Sequence, residues 1–274
     1  MKTLVLANHK GGVGKSAVAT LLAHYFVVSL KLRVLAIDFD HQGNFSDPLQ
    51  KSKRALVAPV SAHELMTTVV SSLPTASMVV VPSHRDLIGL ERQPAMHTPF
   101  ARNLRAFLAA MDHQFDVCVI DTNPNPDIRM IAALASADFV LSPVEMTQEA
   151  MDGLAALLNH ERVGLRKIKA VLNPKLRLIG LLPSIVEATP FQKANFIQVI
   201  RQYQSLLIPL SDRLGDIASV PKRTAIAEAQ AEGALLWEVR KTAARDAWKE
   251  IEPSLARIAQ IVTSKESANG QAAA

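Results

Sequence analysis

Two lysines and a serine stand among three glycines near the start of the chain, in the run Lys10-Gly11-Gly12-Val13-Gly14-Lys15-Ser16. Glycines let successive backbone N–H groups converge on one point, and a helix that begins there adds its partial positive charge, so the run suits a phosphate. Lys15 would reach the β- and γ-phosphates of a nucleotide, and the Ser16 hydroxyl would sit on Mg²⁺. Two sets of carboxylates could complete such a site. Asp38 and Asp40 follow the apolar run Val34–Ile37, and Asp121 closes the apolar run Val117–Ile120. An apolar strand that ends in Asp is the form whose carboxylate holds Mg²⁺ in this chemistry, which makes Asp121 the metal-shell residue.

The surrounding elements must bring these groups together. Thr3–Leu6 reads as a short buried strand and Ala17–Leu30 as a buried helix, so the glycine run lies between strand and helix, the context that gives the motif meaning. Strand and helix patterns then alternate. Strands are expected at Val34–Asp38, Met78–Pro82, Phe115–Asp121, Asp138–Val144 and Leu178–Ser184, with a short edge strand at Leu206–Pro209. Helices are expected at 61–73 (Ser61 as N-cap, Glu64 in the capping-box position), 100–112, 128–137, 190–204 and 239–262. The stretch 48–54 reads as a basic surface loop, 83–99 as a loop with about one helical turn, and 264–274 as a disordered tail. Such alternation gives an α/β fold with a parallel sheet, and ligands bind such sheets at the carboxyl ends of the strands, where both aspartate sets fall.

The stricter phosphate-loop pattern has a glycine where this chain has His9, and here a second lysine, Lys10, precedes the Gly-Gly pair. That loop, the later Asp38-Phe39-Asp40-His41-Gln42-Gly43-Asn44, and Asp121-Thr122-Asn123-Pro124 resemble the ParA/MinD family of ATPases. The similarity runs over nearly the whole chain and is greatest to the IncC-type partition ATPases. The resemblance implies a three-layer P-loop NTPase fold with a mostly parallel twisted sheet and helices on both faces, formed as one domain over residues 1–263. It implies ATP and Mg²⁺ held by Lys10, Gly11, Gly12, Val13, Gly14, Lys15, Ser16 and Ala17, with Pro183 and Pro221 toward the adenine. Lys10 would cross a nucleotide-sandwich dimer to the partner's phosphates. Asp40 would position the hydrolytic water, and Asp38 would support the Mg²⁺ region. The segment 145–154 resembles one that lies near the dimer interface in the family. His41 stands where the family has Pro, and Ala225 where it commonly has Arg.

Composition limits the alternatives. The chain carries 30 Lys+Arg against 25 Asp+Glu, a net charge of +5, which is compatible with nucleic acid. Aromatics make up only 5% of the residues, which disfavours a stacking platform for single strands. The single cysteine, Cys118, lies in an apolar strand and reads as a small core residue; one thiol also argues against a cluster-bridging reductase. His63, His84, His97 and His113 lack metal-ligand spacing. No signal segment or membrane-spanning run is evident, so a cytoplasmic, nucleoid-associated protein is expected.

The resemblance also implies partners: non-specific duplex DNA, bound by the ATP-dependent homodimer, and a ParB-like centromere-binding protein that stimulates release. The basic residues Lys222 and Arg223 match the family's basic segment. Lys241 and Arg245 share a helix face with Lys249. These are the DNA-contact candidates, and the acid-free cluster Arg162, Arg166, Lys167, Lys169, Lys175 and Arg177 is the alternative. A MinD-like membrane cycle would need a C-terminal amphipathic helix, which the tail lacks, so no membrane partner is expected. The same switch could also serve a protein cargo.

Overall fold

The computed structural model describes residues 1–145, 156–187 and 203–264. Most of the expected helix at 190–204, most of the segment 145–154 and the tail beyond Ser264 lie outside these residues. One eight-stranded sheet organises the described chain, in the order β3-β4-β2-β5-β1-β6-β7-β8. The strands are β1 (Lys2–Leu6), β2 (Val34–Asp38), β3 (Leu56–Val57), β4 (Met78–Val81), β5 (Val117–Asp121), β6 (Phe139–Glu145), β7 (Arg177–Val186) and β8 (Val220–Pro221). Every pairing among them is parallel. Parallel strands covered on both faces read as continuous apolar runs, which is why β2, β4 and β5 are buried at every position.

The helices form two outer layers. Val5, Leu35, Ile37, Val79 and Cys118 point to a core covered by α3 (Ala62–Thr67), α4 (His97–Ala110) and α5 (Ile128–Ser136). Leu4, Leu6, Val34, Ala36 and Val119 point to the other core, covered by α1 (Lys15–His24), α6 (Thr224–Glu232) and α7 (Thr242–Thr263). The period-2 alternation of each strand thus feeds both cores. Cys118 is wholly buried, and burial pushes its thiol pKa far up.

Several elements differ from the sequence reading. The stretch 48–54 is not a loop: Ser46–Lys51 forms a short helix, α2, with Pro48 in its first turn, where its missing N–H costs nothing. The capping box of Ser61 and Glu64 forms as expected, but α3 stops at Thr67 and Thr68 is extended. The β-branched run Thr67-Thr68-Val69-Val70 explains that stop. Two 3₁₀ segments, Arg85–Arg92 and Pro94–Met96, occupy the expected loop, and α4 begins at His97. The expected edge strand at Leu206–Pro209 reduces to single bridges, Leu207 to Leu181 and Pro209 to Ile217; β8 takes the edge among the described strands. The last helix starts at Thr242, with Lys241 at its N-cap.

Candidate nucleotide site and its carboxylates

The phosphate loop leaves β1 at the carboxyl edge of the sheet and runs into α1. Gly12 and Gly14 adopt φ values of +76° and +82°, which a side-chain-bearing residue enters only at a cost. Gly14 is the N-cap of α1, so its turn aims the helix N-terminus at the loop. The loop is fastened from outside. Asn8 Nδ2 donates to Pro143 O at 2.7 Å, and Asn8 Oδ1 accepts from Lys10 N at 2.8 Å. Ser184 Oγ donates to Val13 O at 2.6 Å, while Val13 is buried. The next residue, Ile185, has φ +55°, a left-handed conformation that is strained for a β-branched side chain.

Inside this frame the functional side chains hold one another. Lys15 is 6% exposed and donates from Nζ to Lys10 O at 3.1 Å. Burial lowers the Lys15 pKa, and the Asp121 and Asp40 charges oppose that shift. Ser16 Oγ donates to Asp121 Oδ2 at 2.6 Å. The other oxygen, Asp121 Oδ1, is buried without a hydrogen-bond partner. Burial raises the Asp121 pKa well above the carboxylate range, and the Asp38 charge adds to that rise. An orphaned carboxylate oxygen beside a serine hydroxyl and a buried ammonium is costly as it stands. It is the donor set that Mg²⁺ with a phosphate would satisfy. Ser16 and Asp121 would hold the metal, and the glycine loop with Lys15 would hold the phosphates.

A cleft of about 620 Å³ opens over the loop. Gly11, Gly12, Gly14, Lys15, Ser16 and Ala17 line it, together with Asp40 and Gln42. Asp40 is 8% exposed and accepts from Gln42 N at 3.1 Å. His41 stands 3.3 Å from Asp40 Oδ1, so this histidine at least meets the acid beside it. Asp38 is engaged by its own loop. It accepts from Asp40 N (3.0 Å), Phe45 N (3.2 Å), Ser46 N (2.8 Å) and Ser46 Oγ (2.8 Å). Both its oxygens thus hold the 40–46 loop, through which it would support the Mg²⁺ region. Burial pushes its pKa up to about 6 against those hydrogen bonds.

The remaining expected residues are spread out. Lys10 Nζ lies 3.2 Å from Glu145 Oε2 at the end of β6. Pro183 is buried within β7 and Pro221 is half-buried in β8; neither lines the cleft. Gln230 and Ala231, at the end of α6, do line it, although sequence reasoning did not pick them. Gln230 Nε2 donates to Thr20 Oγ1 and Asn44 O, both at 3.0 Å. Gly233 ends α6 at φ +68°, and a Cβ there would come within 2.6 Å of Pro48 O; that Gly after a helical run was the one local signal of the contact.

The DNA-contact candidates are exposed but mostly paired. Lys222 meets Glu187 at 2.5 Å, Arg223 meets Glu250 at 2.6 Å, and Lys241 meets Glu228 at 2.8 Å. Arg245 Nη2 donates to Thr242 Oγ1 at 3.4 Å. In the alternative cluster Arg162 pairs with Glu91 at 2.8 Å, while Lys167, Lys169 and Lys175 are exposed.

Fold and site together define a P-loop ATPase with a second lysine in its loop. A family model described as an AAA domain matches residues 1–178. The IncC protein of Escherichia coli is 34% identical over 265 residues, spanning 92% of this chain and 67% of that protein. The chromosome-partitioning ATPase Soj of Thermus thermophilus is 32% identical over 187 residues, covering 68% of this chain and 70% of its own. In fold, an ATP complex of Cyanothece McdA matches with a TM-score of 0.73 at 22% identity, over 94% of this chain and 96% of the other. The chain belongs to the family of IncC, Soj and ParA partition ATPases.

Proposed function

We propose that this ATPase binds Mg²⁺·ATP at the loop, joins a second copy around the nucleotides, and serves DNA partition by binding duplex DNA until hydrolysis releases it. The observation that carries the nucleotide reading is the Ser16–Asp121 contact of 2.6 Å with Asp121 Oδ1 left orphaned beside Lys15. Bound Mg²⁺ would neutralise charge on the β- and γ-phosphates. The glycine-loop amides and Lys15 bind and orient the phosphates, and Asp40, which lines the same cleft, orients the attacking water. Val13 and Ala17 contribute backbone to the cradle. Lys10, at the edge of the loop, exchanges Glu145 for the partner's phosphates in the dimer.

A ParB-like partner is supported by the partition family to which the chain belongs, as is DNA interaction in general. Among the described residues no helix is long and apolar enough to cross a membrane. The proposed DNA contact uses the basic C-terminal surface of Lys222, Arg223, Lys241 and Arg245, and it reads phosphates, not bases.

Asp40→Ala separates binding from turnover. It should bind ATP as the parent does, hydrolyse it at least about tenfold more slowly, and accumulate as a dimer in sedimentation with ATP. An Asp40→Ala protein that stays monomeric with ATP removes Asp40 from the proposed role. For DNA, replacing Lys222 and Arg223 together by Ala should weaken retention on all duplex sequences alike and lower the salt slope by roughly one or two units. A double variant that matches the parent at every salt concentration moves the contact to the 162–177 cluster or away from DNA.

A further inference from the structure

We propose that Arg129 is a positioning residue for hydrolysis, fixing the backbone from which Asp40 reaches the cleft. Arg129 sits in the first turn of α5 and is 3% exposed. That is an expensive place for a guanidinium. The helix N-terminus disfavours a cation, and burial removes its hydration. A leucine or methionine would fill the same core at lower cost.

The surroundings show what the arginine holds. Its fork closes on Asp127, with Nη2 at 2.5 Å and Nε at 3.0 Å from Oδ2. Asp127 is itself the N-cap of α5 and accepts from Asn123 Nδ2 at 3.0 Å. The guanidinium is thereby locked by the N-cap and by the residue two after Asp121. Its remaining arm, Nη1, donates to Phe39 O at 3.4 Å.

Phe39 is the residue between Asp38 and Asp40. Its N–H donates to Asp121 O at 3.0 Å, the last rung between the β2 and β5 backbones. β5 ends at Asp121, and Arg129 meets the Phe39 carbonyl beyond it. On the far side, Asp40 N donates to Asp38 Oδ1 at 3.0 Å and Gly43 N donates to Asp40 O at 3.0 Å. The peptide that launches Asp40 is therefore pinned on the sheet side by Asp121 and Arg129, and on the loop side by Asp38 and Gly43. The Asp127–Arg129 pair is neutral as a unit, so its effect on the reaction is geometric, and a displacement of about 1 Å in a catalytic group is enough to slow a reaction up to roughly 10²-fold.

The inference rests on the reading that Asp40 acts in hydrolysis, and the test separates the two. Arg129→Lys keeps a cation for Asp127 but loses the fork that reaches Phe39 O; Arg129→Gln loses the charge as well. Both are made in the full chain, and kcat is expressed per nucleotide-binding-competent molecule, so loss of folded protein does not count as loss of rate. The expected result is a kcat about tenfold lower for Arg129→Lys with KM for Mg²⁺·ATP within about twofold of the parent, and a larger fall for Arg129→Gln. In an Asp40→Ala background, Arg129→Lys should slow the residual rate no further, because the arginine acts through Asp40. A parent-like kcat for Arg129→Lys, or equal slowing with and without Asp40, overturns the inference. A fully active Asp40→Ala protein overturns the reading beneath it.

Discussion

Asp38 and Asp121 occupy matching positions on neighbouring strands, paired in register at the ends of β2 and β5. Both are wholly buried. Yet Asp38 receives hydrogen bonds on both oxygens from its own loop, whereas Asp121 receives one from Ser16 and keeps the other oxygen bare. The same residue type at the same height of one sheet thus does two jobs. One carboxylate spends its acceptor capacity on backbone and fixes a loop. The other withholds it, and the unmet demand marks where a ligand belongs. The unused acceptor, more than the presence of the acid, is what suits Asp121 to the metal role proposed for it.

The largest expected effect breaks the Asp121 side. Asp121→Asn keeps shape but loses the charge for Mg²⁺, and steady-state hydrolysis should fall by about 10²-fold or more. The nucleotide-free protein should unfold in denaturant at the same midpoint or higher, because a buried charge with an unmet oxygen is gone. A clear loss of stability would show that Asp121 also fastens the fold.

Asp38→Asn should do the reverse. It replaces one acceptor oxygen by an NH₂ donor, which then faces either Asp40 N or the Phe45 N, Ser46 N and Ser46 Oγ donors, so unfolding measurements should show a loss of about 2–3 kcal/mol. Folded molecules should still bind nucleotide with the parent's affinity. If affinity falls as steeply as in Asp121→Asn, the two aspartates share one job after all.

The smallest effect is a pH slope that sharpens the contrast. Burial holds the Asp38 pKa up at about 6, so its protonated form is favoured in the folded state. Its contribution is present at low pH and is lost as pH rises from the unfolded carboxyl range through 6. Buried His24, beside the Arg54 charge, titrates at about 4 instead of 6.5. Its contribution has the opposite sign: it is full above 6.5 and lost as pH falls toward 4. The stability difference between parent and His24→Leu should therefore shift in the parent's favour by up to about 3 kcal/mol from pH 4 to 6.5. The difference between parent and Asp38→Asn should shift the other way over that window. Chemical unfolding at several pH values reads both slopes.

The contrast also marks what the sequence could tell. The phosphate loop and Asp121 were legible because their chemistry is local: glycines at positive φ, a lysine and a serine at a helix start, an acid at a strand end. The α/β alternation followed from strands apolar at every position. How Asp38 is held was not legible, because its partners arrive from seven and eight residues downstream, through a loop closure that no spacing rule encodes. Arg129 gave no signal, since its meaning depends on a carbonyl 90 residues away. The pairing of the surface basics Lys222 and Arg223 was not legible, because Glu187 and Glu250, which answer them, are distant in sequence or on another element. The left-handed backbone at Ile185 was equally invisible, as an isoleucine is the last residue to suggest it.

The wholly buried Cys118 has a practical corollary. It is the only thiol in the chain, and it is sealed between strands with its proton held tightly. Toward an alkylating dye the native molecule should behave as though cysteine-free. A cysteine introduced on the half-exposed site of Lys10 or on exposed Lys222 would then be the one group to take up label, so the chain comes ready-made for single-site probes, with no background thiol to engineer away.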